Sequence, residues 1–230
     1  MTTVPRVSHY GHVMRWLILL AVTLPPLVLA AIGLTHPAEL TPETADWWTT
    51  MHILLIPIFP LLGVAQWVLV RGMSDVLSWA VRVAGFLYIA FYGVVDAVAG
   101  IGTGTLVRHG VEAGAGHGAH AVDRDPTIGW LFGIGNEVGG YGGWAFLAGN
   151  VLLTVACWRR WGTRALPGGL VLIAASYVFV GAHIYWPVGV LSMVGTALGF
   201  GLLAAAERPA PAGSPVAADP AAGRSVPLSG

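Results

Sequence analysis

Two histidines and two carboxylates within or beside long apolar stretches are the residues of this chain best suited to chemistry. They are His52, Asp96, Glu137 and His183. An ionisable side chain inside such a stretch costs roughly 2.5–3.5 kcal/mol on membrane-insertion scales, so each of the four calls for an explanation. Two imidazoles and two carboxylates can coordinate zinc or non-haem iron, with the ligands drawn from separate helices.

A metal-binding protein or metal-dependent membrane enzyme is the most specific function that this set predicts. His52, Asp96 and His183 would bind the metal, which would acidify a bound water, and Glu137 would act as general base. No two of these residues lie three or four positions apart on one helix, so no local motif supports the site. A haem held by the two histidines is a minor variant of this prediction. His36, in a neighbouring loop, could join a metal site but is not among the predicted ligands.

Two other functions are open for the same residues. A buried carboxylate can be neutral and hydrogen-bond a histidine across helices, in which case the cluster is purely structural, as in a partner-binding membrane subunit. Intramembrane Asp, Glu and His also mark the proton paths of carriers, so a small proton-coupled transporter is the third interpretation. Against a carrier, all four groups are predicted in one half of the membrane, and the other half contains no matching acid.

The composition indicates a membrane protein. The 230 residues are 56% hydrophobic and 10% charged, and the mean hydropathy is +0.73. Soluble domains carry about 25% charged residues. Membrane lipids are therefore the expected surroundings. The net charge of zero and the lack of a basic run argue against nucleic acid as a partner. All eleven cationic residues are arginine, which is typical of a GC-rich bacterial genome and favours a bacterial cell membrane as the location.

Six stretches are apolar and long enough to cross a bilayer as helices, since a span needs about 20 residues. The runs are continuously apolar rather than alternating, which indicates an all-α, polytopic transmembrane bundle rather than a barrel. The first run is longer than a signal peptide, so we expect it to be a retained helix. The predicted six-helix domain covers residues 1–206, with spans at 16–34, 51–70, 78–100, 129–158, 166–184 and 188–206.

The distribution of arginine predicts that both termini are cytoplasmic. With the N-terminus inside, nine of the eleven arginines lie at the inner face, and only Arg108 and Arg124 lie outside. Counting about 1.5 Å per residue along each helix then places all four candidate site residues in the outer half of the membrane. The chemistry is therefore predicted to face away from the cytoplasm.

Local sequence features refine this bundle. Pro57 and Pro60 predict a kink in the second span just below His52. The fourth span is rich in glycines four residues apart, which predicts close approach of another helix, from this chain or from a second copy in a homo-oligomer. Asn136 in that span is expected to hydrogen-bond a neighbouring helix. The loop 101–126 is predicted to be flexible, and the segment 207–230 to be a disordered cytoplasmic tail.

Overall fold

The structure, a computed structural model, describes residues 7–112 and 126–207, with side chains for 13–110 and 126–207, and all secondary structure in these ranges is helical. The elements in chain order are α1 (Val7–Gly33), α2 (Ala45–Leu55), α3 (Pro60–Leu69), α4 (Val76–Val94), a π-helical segment (Val95–Gly102), α5 (Thr103–Glu112), α6 (Pro126–Trp161), a 3-10 turn (Gly162–Ala165), α7 (Leu166–Ala182) and α8 (Val188–Ala206).

Consecutive spans run in opposite directions, whereas α2 and α3 share one span and α4 continues into α5, so loops gather at two ends of the bundle. We call the end at which α1 begins and α8 ends the terminal end, and the opposite one the far end. At the terminal end Arg15 donates a hydrogen bond to the carbonyl of Ala205, 3.4 Å away, and Arg71 forms an ion pair with Glu207. At the far end the last residue of α1, Gly33, packs against the backbone of Ile184 just before α8.

Five helical stretches are long and apolar enough to cross a membrane. Large apolar side chains cover their outer faces, as at Phe86 and Leu170, which lipid contact explains better than water. These stretches are Val13–Gly33, Ala45–Leu69, Val76–Gly110, Pro126–Ala182 and Val188–Ala206. This confirms a multi-pass helical architecture.

The fourth stretch combines two predicted spans. It has 57 residues, and the chain reverses within it at the 3-10 turn, where Gly162 has a φ of +70°. Asn150 of α6 then donates a hydrogen bond to Ser176 of α7, so the two helices run antiparallel. Because α7 alone has only 17 residues, six separate spans stay a prediction, as does the orientation of the termini.

The kink expected at the prolines of the second predicted span is in the structure an interruption between two helices. The helix α2 ends at Leu55 and α3 begins at Pro60, with Ile58 donating a turn-type hydrogen bond to the carbonyl of Leu55. Proline has no N–H and fits the first turn of a helix, so the chain stops and restarts helix here. The break places His52 on a short helix of its own at the far end.

Glycines on α6 bring it against α4 and the π-helical segment. A Cβ at Gly135 would collide with Ala99, one at Gly139 with Val95, and one at Gly142 with the backbone of Tyr92. The expected close helix approach is confirmed at these positions. By contrast, Gly133 has nothing within 4 Å of its Cβ position. The association of copies through this helix stays a prediction.

The middle of the bundle contains a polar network. Gln66 of α3 donates to the side-chain oxygen of Asn150 at 2.9 Å, and Asn150 donates to Ser176 at 2.7 Å. All three residues are fully buried. Hydrogen bonds between apolar helices help to fix how they pack. The interhelical role expected of Asn136 belongs in the structure to Asn150, because Asn136 is exposed.

Part of the predicted flexible loop is helical. The third predicted span continues through the π-helical segment into α5, which ends at Glu112. Residues 113–125 of that loop lie outside the described residues, and so do residues 208–230 of the predicted tail. The described portion of the loop projects beyond the third span at the far end, where α5 packs against α2.

Candidate metal centre

Three histidines from distant parts of the chain meet at the far end. His36 lies in the loop after α1, His52 lies on α2, and His183 directly follows α7. One ring nitrogen from each lies within 4.8 Å of the others. The ring centroids of His36 are 5.3 Å from His52 and 5.7 Å from His183. Three imidazoles at this separation form a plausible ligand set for one metal ion.

The Nδ1 atom of each histidine has a hydrogen-bond partner of its own. His36 Nδ1 lies 2.8 Å from the carbonyl of Pro37, and His52 Nδ1 lies 2.7 Å from the carbonyl of Trp48. His183 Nδ1 lies 2.7 Å from the hydroxyl of Tyr92. A carbonyl can only accept, so His36 and His52 carry their proton on Nδ1, which leaves Nε2 as a lone-pair donor. Metal-binding histidines show this pattern, since the second nitrogen is held by an outer partner that orients the ring.

Two of the three remaining ring nitrogens are buried without a partner among the described residues. Neither His36 Nε2 nor His183 Nε2 has a hydrogen-bond partner among the described residues. Leaving a buried polar atom unpaired costs about 1–3 kcal/mol, and in native proteins such an atom usually has an explanation. Burial also lowers the pKa of His36, which favours the neutral imidazole. Neutral imidazole is the form that binds metal.

Close packing against Gly100 fixes the position of the His52 ring. A Cβ on Gly100 of the π-helical segment would overlap the His52 ring, so only glycine fits there. The same glycine accepts a hydrogen bond through its carbonyl from the indole of Trp48, at 3.1 Å. His52 is 2% exposed as a result. Helix α2 and the π-helical segment therefore hold this ring in one orientation.

His183 occupies a turn position that normally requires glycine. Its φ is +45° and its ψ is −133°, close to the first central position of a type II′ turn. The amide of Tyr185 donates to the carbonyl of Ala182 at 3.2 Å, which closes this turn. A non-glycine residue in such a conformation costs of order 1–3 kcal/mol, and strain of this kind clusters at functional sites. A histidine in this strained position therefore indicates a role for its side chain.

We expect His183→Gly to be more stable than His183→Ala in metal-free protein, by about 1–3 kcal/mol. Both variants lose the ring and its contacts, but only glycine accepts a φ of +45° without strain. At an ordinary helical position the order is reversed, because glycine is about 1 kcal/mol worse than alanine. Thermal unfolding of both purified variants in the same detergent measures the difference. An alanine variant as stable as the glycine variant would contradict the strained turn.

A cavity of about 390 Å³ adjoins the cluster. His52 and His183 line its inner wall together with Tyr92, while Asn136 of α6 and Gly181 of α7 line its outer part. A metal ion held by the histidines would therefore have free space on one side. Three protein ligands with an open fourth position are characteristic of catalytic zinc.

The structure brings together two of the four predicted site residues and leaves the other two outside their cluster. His52 and His183 belong to the histidine cluster, whereas Asp96 and Glu137 do not. Asp96 is fully buried in the first turn of the π-helical segment, and neither carboxylate oxygen has a hydrogen-bond partner among the described residues. Glu137 is exposed on α6. Their roles as a ligand and as a general base stay predictions.

His36 is the cluster member that the sequence-based ligand set omits. It lies in a loop, so helical spacing gives no signal for it. A weaker signal was present, because His36 lies two residues beyond the first predicted span, at the same outer level as the other candidates. In the structure its ring also packs against Tyr185, with centroids 4.1 Å apart.

The histidine rings must approach one another to hold an ion. Zinc binds imidazole nitrogen at about 2.0–2.1 Å, so three nitrogens in tetrahedral positions on one ion lie about 3.4 Å apart. The three nitrogens lie within 4.8 Å of one another, so binding needs the nitrogens to approach one another by up to about 1.4 Å. Comparison with known protein families, with curated proteins and with solved structures found no match.

Proposed function

We propose that this chain is a multi-pass membrane protein that binds a divalent transition-metal ion through His36, His52 and His183. The observation that carries the proposal is the cluster of three imidazole rings. In each ring Nδ1 is hydrogen-bonded to a neighbouring oxygen, so Nε2 is the nitrogen that would bind the metal. Imidazole suits zinc and iron, and three nitrogens with one open position favour zinc.

The open position supports a metal-dependent enzyme rather than a purely structural site. Closed structural zinc sites use four protein ligands, whereas this cluster has three and borders a cavity. A zinc ion there would polarise a substrate oxygen or acidify a water molecule, as in hydrolytic metalloenzymes. Glu137 as the general base, and Asp96 as the third ligand in place of His36, remain proposals.

We further propose six membrane spans with both termini cytoplasmic, in the cell membrane of a bacterium. Support comes from the reversal between α6 and α7 and from the arginines, which favour the cytoplasmic side. Six arginines of the described ranges lie toward the terminal end and one, Arg108, lies toward the far end: Arg15, Arg71, Arg82, Arg159, Arg160 and Arg164 form the larger group. The metal centre then faces away from the cytoplasm.

Elemental analysis of the purified full chain tests the metal proposal. We expect about one zinc or iron ion per chain after purification in detergent through an affinity tag free of histidine. A polyhistidine tag would itself bind metal and obscure the result. Incubation with zinc followed by removal of free ion should restore full loading of partly loaded protein. A metal content at the level of the buffer blank after this incubation would overturn the proposal.

A proton-coupled carrier is a second candidate, favoured by Asp96. A fully buried carboxylate without a hydrogen-bond partner is the type of group that carries protons within membranes. The buried Gln66–Asn150–Ser176 network extends polar groups toward the terminal end. This candidate predicts proton-linked substrate flux in vesicles that stops on Asp96→Asn, in protein without bound metal. Flux that persists in this variant would exclude it.

A further inference from the structure

The cavity beside the histidines is covered at the far end. A second hydrophobic cluster is formed there by the loop after α1, the first residues of α2 and α6, and α5; its buried members are Leu40, Ala45, Trp48, Val107 and Ile128. Phe132 and Tyr185 pack against this cluster and also line the cavity, as does Trp48. Access to the metal site along the bundle axis from this end is therefore closed by apolar side chains.

The cavity opens sideways between α6 and α7. Toward the terminal end these helices are in close contact, as at Gly143, where an added Cβ would lie 3.6 Å from the Val180 backbone. Beyond this point Gly140 and Gly181, one on each helix, have nothing within 4 Å of their Cβ positions. Both line the cavity. The separation of the two helices therefore forms the mouth of the cavity.

Exposed aromatic side chains lie close in sequence to the two glycines of this mouth. Trp144, four residues from Gly140 on α6, is 56% exposed, and Tyr177, four residues from Gly181 on α7, is 66% exposed. Tyrosine and tryptophan are enriched where the hydrocarbon core meets the headgroups. Their exposure beside the mouth favours a position near the lipid headgroups, on the lateral surface of the bundle.

We infer that the ligand of this site is an amphiphile of the adjoining leaflet, whose polar head enters between α6 and α7 while its chain stays among the lipids. This inference rests on the proposed metal site. A cavity of about 390 Å³ lies at the small end of the usual range for ligand sites. It accommodates a headgroup but not a whole lipid. A head with an oxygen donor would take the open position on the metal.

Cobalt-loaded protein provides the test, because the visible spectrum of cobalt(II) responds to its ligands. Two hydroxamate probes share the chelating head: dodecanohydroxamic acid is an amphiphile, and acetohydroxamic acid is water-soluble. In the wild type the long-chain probe should change the spectrum at a concentration roughly tenfold or more below that of the short one, since its chain partitions into the apolar phase. The double variant Gly140→Leu and Gly181→Leu narrows the mouth and should abolish this preference.

Control measurements distinguish entry of the long-chain probe through the mouth from mere partitioning of its chain into the detergent. Gly133→Leu adds the same side chain to α6 at a position with open space outside the cavity lining, and it should retain the long-chain preference. The short probe is small enough to pass the narrowed mouth, so it should act on all variants at a similar concentration, which also shows that they are folded. Equal potency of both probes in the wild type, or an unchanged preference in the double variant, would overturn the lateral route alone. Failure of cobalt to bind would overturn the metal site as well.

Discussion

His52→Ala is expected to reduce bound metal to the level of the buffer blank. The variant removes one of three ligands, and the two that remain cannot hold an ion against washing. Loss of an outer hydrogen-bond partner alone weakens metal binding about 10–100-fold, so loss of a ligand should exceed roughly 100-fold. Competition with a chelator of known affinity, followed by elemental analysis, measures the change.

Two further variants make this result specific. His109→Ala removes a histidine of α5 that is outside the cluster, and it should leave the metal content unchanged. Tyr92→Phe removes only the hydroxyl that lies 2.7 Å from His183 Nδ1, so it should weaken binding by an intermediate, roughly 10–100-fold amount. A His52→Ala protein that keeps its full metal content would show that the three rings do not bind the ion.

Gly142→Leu is expected to destabilise the protein by about 3 kcal/mol or more. A Cβ at this position would lie 2.6 Å from the amide nitrogen of Tyr92 and 2.9 Å from its Cα. Backbone atoms cannot move aside as a flexible side chain can, so α4 and α6 must separate. Because Tyr92 contacts His183, the variant should also lose metal affinity. Thermal unfolding in detergent measures the first effect and chelator competition the second.

Gly133→Leu is the matched control for this substitution. It makes the same change on the same helix, where nothing lies within 4 Å of the added Cβ. Substitutions at such surface positions usually change stability by no more than about 0.5 kcal/mol. Equal destabilisation by the two substitutions would mean that the effect comes from helix propensity or hydrophobicity and not from contact with α4.

The apolar pattern was sufficient to predict the helical membrane architecture. Long apolar runs identified the helices, and Pro57 and Pro60 identified the break between α2 and α3, because both signals act locally. The π-helical segment and the extension into α5 had no comparable signal. An additional residue per turn leaves composition unchanged, and the helix continues because α5 packs against α2, a long-range contact that one sequence does not reveal.

The sequence predicted those residues of the candidate site for which depth in the membrane was enough to bring them together. His52 and His183 lie at or near ends of apolar stretches, so the prediction of a shared level brought them together. Depth alone did not determine the helix face of Glu137, which is exposed on α6. His36 reaches the cluster through a loop whose path depends on packing against Tyr185. Loop paths and helix rotation are set by tertiary contacts, and these were the missing information.

The order of the three histidines along the chain has a consequence for biosynthesis. His36 and His52 leave the ribosome early, while His183 follows only after α6 and α7 have been translated. A nascent chain that ends before α7 offers at most two of the three imidazoles. If the three histidines bind an ion as proposed, its capture would be a late event in maturation, and it would connect early and late parts of the domain.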